Sequence, residues 1–162
     1  MRLKVHIILN NFPLKIAGYG PLIEQAQIDS PPNIKFLGKV SHKQVSLEML
    51  NAKFLLIPSE CYEGFPMVIV EAFAHGLPVV ASRLGSMAEI VEDGITGLYF
   101  EPGNPRDLAE KARWMFEHPE ECRRMGENAR KVYEDKYTPE KNYEQLMAIY
   151  RNVIEEYKYG RG

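Results

Sequence analysis

The chain has 162 residues, 45% of them hydrophobic and 26% charged, with a formal net charge of -2. That length suits one compact domain, and the mix is that of a soluble globular protein. It offers no cationic excess for a nucleic-acid backbone and no apolar run near the ~18 residues of a membrane span.

The two cysteines, Cys61 and Cys122, are too far apart for a Cys-x-x-Cys metal site or a disulfide framework. A reducing, cytoplasmic compartment is expected, with membrane contact at most peripheral. The opening stretch, Met1 to Leu9, is too short for a signal peptide.

Short apolar runs alternate with amphipathic stretches along the chain. The runs are Val5–Leu9, Leu14–Ala17, Ile34–Leu37, Phe54–Ile57, Val79–Ala81 and Leu98–Phe100. Several are apolar at consecutive positions, as strands covered on both faces by helices are. Helices are predicted over Pro21–Ile28, His42–Asn51 with Ser41 as cap, Pro66–His75, and Met87–Val91. Pro66 stands at a first helical position and Gly76 just past the end, the expected punctuation. After Phe100 three helices follow with no strand: Pro105–Glu117, Pro119–Asp135 and Pro139–Tyr157. The fold expected is a doubly wound parallel α/β sheet with extra C-terminal helices, as one domain over residues 1–162.

The stretch from Ser59 to Ala81 carries the chemistry. A buried strand ends at Ile57, a loop of small and polar residues follows, and a helix begins at Pro66. Ligands of open α/β sheets bind at such carboxyl ends of strands. Gly64 lets the backbone approach a ligand, and the helix start favours an anion such as phosphate. Glu63 lies in the loop and Glu71 well inside the helix, about 12 Å apart if all helical. They are badly placed as a paired acid and base. They suit two hydroxyl-bearing ends of an extended ligand, with an anion between. Glu71 is flanked by Val68, Ile69, Val70, Ala72 and Phe73, so a partner for its carboxylate is expected.

Glu63-Gly-Phe-Pro followed by Glu71-Ala-x-Ala-x-Gly-x-Pro-Val-Val-Ala resembles the signature of glycosyltransferase family four, the glycogen-synthase-like enzymes of the GT-B fold. The two glutamates have that family's spacing. The match continues from Ser82 through Gly97-Leu98 to Pro102-Gly103-Asn104, and upstream through Ile16-Ala17-Gly18-Tyr19-Gly20-Pro21 and Phe36 to Ser41. It covers about residues 14 to 150.

The resemblance implies a Rossmann-like C-terminal domain that binds a nucleotide diphosphate sugar. It implies hexosyl transfer with retention, with no catalytic metal or other cofactor. Carried over, Glu63 is the sugar-side catalytic group and Glu71 holds the ribose. Gly64, Phe65, Pro66 and Met67 bring the backbone to the sugar and diphosphate, and Gly38, Lys39 and Val40 flank the base. Gly18-Tyr19-Gly20 is a strand-to-helix turn near the phosphates or a turn alone, because position 23 is Ile23 where a dinucleotide fingerprint has its third glycine.

Other features read more plainly. Gly85-Ser86 stands where the family often has two glycines, His75 reads as a helix cap, and the tyrosines after Tyr133 read as packing residues. The family's N-terminal acceptor domain is not expected in this chain, and its basic diphosphate clamp has no match, since Arg2 and Lys4 come too early and Lys15 lies in a strand. Two readings follow: a donor-binding half that needs an acceptor-domain chain to act, or a non-catalytic nucleotide-binding or interaction module. A nicotinamide-binding domain is a third.

Overall fold

The computed structural model describes residues 12–62 and 64–159. The run Val5–Leu9 and the residue Glu63 lie outside them. The order is β1 (Leu14–Ala17), α1 (Ile23–Ile28), β2 (Ile34–Gly38), α2 (His42–Asn51), β3 (Leu55–Ile57), α3 (Met67–Ala74), β4 (Val79–Ser82), α4 (Met87–Ile90) and β5 (Gly97–Phe100). Three helices close the chain: α5 (Pro105–Glu117), α6 (Pro119–Lys136) and α7 (Pro139–Tyr159). These elements match the sequence reading to within two residues, because caps and prolines punctuate them. The Ser41 hydroxyl accepts from Gln44 N at 3.3 Å, and Asn104 Oδ1 accepts from the N–H groups of Arg106 and Asp107.

Every strand pair among the described residues is parallel. The ladders among the described residues fall into two sets, β1–β2 and β3–β4–β5. Leu14 is level with Ile34 in the first set; in the second, Val79 is level with both Leu55 and Gly97. β4 shows the double winding directly. Val79 and Ala81 join a cluster with Ile69, Ala72 and Phe73 of α3, and with Ala129 of α6. Val80 joins another with Leu108 and Met115 of α5 and Met125 of α6. Successive residues of a strand point to opposite faces, so β4 is covered by helices on both sides and all four of its residues are buried.

α3 is locked at its end by a Schellman motif. Gly76 has φ +65, Gly76 N donates to Phe73 O and Leu77 N donates to Ala72 O. α6 crosses at that point so closely that a Cβ on Gly126 would lie 2.2 Å from Gly76 O.

The expectation that the tyrosines after Tyr133 are packing residues holds for Tyr137, which packs against the core, and is corrected on α7. Tyr143, Tyr150 and Tyr157 are exposed, as are Leu146, Ile149, Val153 and Ile154. The chief contact of α7 with the rest is α6, which leaves this apolar face in solvent. Among the described residues no helix is long and apolar enough to cross a membrane.

Candidate functional site

The candidate residues gather at the carboxyl ends of the strands. Gly18 follows β1 and its N–H donates to Gly38 O, at the end of β2, at 2.9 Å. A Cβ on Gly18, Gly20, Gly38 or Gly64 would meet nothing within 4 Å, so these backbones border open space that a ligand can approach. Lys39 is exposed and Val40 half-buried, and both lead into the Ser41 cap of α2. The loop after β3 runs through Gly64 and the half-exposed Phe65 to a buried Pro66. Pro66 is the N-cap of α3 and Met67 its first residue, one later than the proline punctuation predicts; no side chain caps this start. Its first N–H groups therefore have no side-chain acceptor.

Glu71 corrects an expectation. Its sequence neighbours Ile69, Val70, Ala72 and Phe73 are buried, yet Glu71 is partly exposed and its carboxylate has no hydrogen bond or ion pair among the described residues. The reason is helical period. Flanking residues point about 100° away, whereas the residues sharing the face of Glu71 are Met67, Val68, Ala74 and His75. None of these is buried, and Met67 is 56% exposed. The open face of α3 thus runs from the uncapped helix start at Met67 to a carboxylate one turn on.

His75 holds this helix in place, as its cap role predicts. Its Nδ1 lies 2.7 Å from Glu71 O, a carbonyl that can only accept, so Nδ1 carries the proton and Nε2 accepts from the Ser46 hydroxyl of α2. α2 is tied in turn to β1 through Lys15 and Glu48 at 2.5 Å, which removes Lys15 as a free phosphate cation. Arg123 and Arg124 pair with Glu120, Glu121 and Glu127 along α6, a solvated ionic face.

Sequence reasoning gave Tyr62 no part at the loop and read Tyr137 only as a packing residue. Tyr137, at the end of α6, meets the Phe65 ring edge-on at 6.1 Å and braces the loop; burial pushes its phenol above the ordinary value. Tyr62 rests against Gly85. No local periodicity links these positions. A groove lies elsewhere, lined by Lys53, Leu77, Pro78, Cys122 and Arg130 among others. Lys53 precedes β3 and Pro78 precedes β4, so this groove sits at the amino ends of the strands and contains no candidate residue. Arg130, which borders the groove, is already bound to Glu134 and to Ala74 O. Among the described residues no cluster of His, Cys, Asp or Glu could hold a metal.

Comparison with known proteins bears on the family and the fold. Residues 5–132 match the family described as Glycosyl transferases group 1. An uncharacterized glycosyltransferase of Methanocaldococcus jannaschii is 35% identical over 147 residues, 88% of this chain and 41% of the relative. N-acetyl-alpha-D-glucosaminyl L-malate synthase of Bacillus anthracis is 30% identical over 155 residues, 91% of this chain and 39% of the relative. The chain therefore spans about two-fifths of the length of these curated relatives. In fold it is similar to sucrose-phosphate synthase of Thermosynechococcus elongatus, with a TM-score of 0.79 at 24% identity over 93% of this chain and 41% of that one. It is also similar to HepE of Anabaena in complex with UDP, with a TM-score of 0.81 at 23% identity over 93% and 45%.

Proposed function

The chain belongs to the family of glycosyl transferases group 1, and from that premise we propose that it binds a nucleotide diphosphate sugar as donor for hexosyl transfer with retention. The observation that carries this is Glu71. Its carboxylate is unpartnered on the open face of α3, one turn from a helix start that no side chain caps. A diphosphate at the helix start would meet free N–H groups and the positive end of the helix dipole. The ribose hydroxyls of the same ligand would then reach Glu71, with the sugar toward Glu63 and the base toward Gly38, Lys39 and Val40. HepE, crystallised with UDP and with UDP-glucose, is a solved structure with a similar fold.

This reading uses no metal or other cofactor, so a chelator would leave donor binding unchanged. It places the protein in a reducing compartment such as the cytoplasm, in keeping with the free thiols Cys61 and Cys122. The test is a calorimetric titration with UDP-, GDP- and ADP-glucose, followed by Glu71→Gln. The substitution keeps the shape and removes the charge, so affinity should fall by about 1–3 kcal/mol, the range for hydrogen bonds to charged groups. Unchanged affinity in a folded variant would overturn the ribose assignment.

A second reading stands beside this one, a nucleotide-binding module with no catalysis of its own. Both readings predict binding. They part when the chain is mixed with an acceptor-side domain and a labelled donor: transfer supports the donor half, and no transfer from any donor supports the module.

A further inference from the structure

The loop after β3 and the loop after β4 meet at one point. A Cβ built on Gly85 would lie 3.0 Å from Tyr62 Cδ1 and 3.6 Å from Cε1, so the tyrosine ring rests directly on the glycine backbone. Gly85 is doubly constrained. Its φ is +51, which L side chains rarely adopt, and the ring occupies the place where a side chain would go. The loop turns tightly around it, with Leu84 N donating to Ser82 O at 2.8 Å and Ala88 N to Gly85 O at 3.0 Å. Tyr62 itself is 81% exposed, and its hydroxyl has no partner among the described residues. One part of the ring is backed by backbone, and the rest is open.

We infer that Tyr62, propped on Gly85, is a wall of the sugar subsite and a determinant of which hexose is accepted. This rests on the donor-site reading above. Tyr62 adjoins Glu63, the sugar-side group in that reading, and both loops leave the carboxyl ends of adjacent strands, β3 and β4. A hexose presents C–H-rich faces and hydroxyl edges. A tyrosine with a fixed ring and an unpartnered phenol can cover the first and bond the second. The glycine sets the ring's position, and that gives a physical reason for a residue without a Cβ at 85 whatever stands at 86.

The experiment is titration of the full chain with UDP and UDP-glucose, GDP and GDP-mannose, and ADP and ADP-glucose. The quantity read is the ratio of the two affinities within each pair. One sugar nucleotide should bind more tightly than its parent diphosphate. Tyr62→Ala should reduce that preference by about fivefold while changing the diphosphate less than about twofold. Tyr62→Phe should keep most of it. Gly85→Ala should lower it in the same direction, and the double variant should lose no more of it than the worse single one, because both act through one ring.

Equal loss for diphosphate and sugar nucleotide in Tyr62→Ala, or no loss for either, would overturn the inference and leave the donor site standing. No preference for any sugar over its diphosphate in the wild type would also overturn it. Failure of every diphosphate to bind would overturn the donor-site reading itself, and this inference with it.

Discussion

The two sets of strands differ in how they are held. In the β3–β4–β5 set, β4 is buried throughout, α3 buries four of its eight residues, and α6 crosses α3 with backbone against backbone. In the β1–β2 set, β1 alternates between half-buried and exposed, and α1 buries nothing. The first set carries Glu71 and the Gly-Phe-Pro loop; the second carries Gly18, Gly20 and the Gly38-Lys39-Val40 loop. Under the donor reading, ribose and sugar meet a rigid platform while the base meets a softer one. α2 links them, through Ser46 to His75 and through Glu48 to Lys15.

The largest effects should separate the two sets. Phe73 is fully buried in the cluster beneath α3, and Phe73→Ala should cost about 3–5 kcal/mol. Ile16 in β1 is only half-buried, and Ile16→Ala should cost about 1–2 kcal/mol. Urea unfolding read by circular dichroism gives both numbers. Equal costs would erase the contrast. Native-state hydrogen exchange sharpens it: amides of β4 should open only with global unfolding, and amides of β1 at a lower free energy.

Much of this fold was legible because its elements are punctuated chemically. Ser41 ahead of α2, and Pro105, Pro119 and Pro139 at the heads of α5, α6 and α7, mark helix starts, and each proves to be one. The turn glycines at the ends of β1 and β2, Gly18 and Gly38, were legible for the same reason. What could not be read was every contact between segments distant in sequence. Phe65 and Tyr137 lie on different elements, as do Tyr62 and Gly85, and no period connects them. Glu71 was misread more simply: adjacency in sequence was taken as adjacency on a face, which a helix denies. The exposed side of α7 looked like packing because an amphipathic pattern specifies a face without specifying what covers it.

A smaller effect compares the helix caps. Asn104 caps α5, which buries Leu108, Ala109, Ala112 and Met115, whereas Ser41 caps α2, which buries only Met49. Asn104→Ala should cost about 1 kcal/mol of global stability. Ser41→Ala should appear mainly as faster exchange in the first turn of α2, with a smaller change in the unfolding midpoint. A larger midpoint shift for Ser41→Ala would reverse the ranking of the two sets.

The smallest effect tests how the rigid set is pinned at its outer strand. The Tyr99 hydroxyl of β5 shares its one proton between Ala88 O, at 2.9 Å, and Val91 O, which ties β5 to α4 and the residue after it. Both acceptors are carbonyls, so only the protonated phenol can make these bonds. Burial first, and the Asp93 carboxylate second, push the phenol above its ordinary value of 10.0. A raised value means the folded state holds the proton more tightly than the unfolded one. The contribution is therefore complete below pH 10 and is lost as pH rises through the raised folded value. Tyr99→Phe should cost about 1 kcal/mol at neutral pH. The gap between wild type and variant in urea unfolding should then narrow as the pH is taken above 10. A gap that stays constant through that range would show that the phenol's proton does not pin β5, and that packing of the ring alone holds the strand.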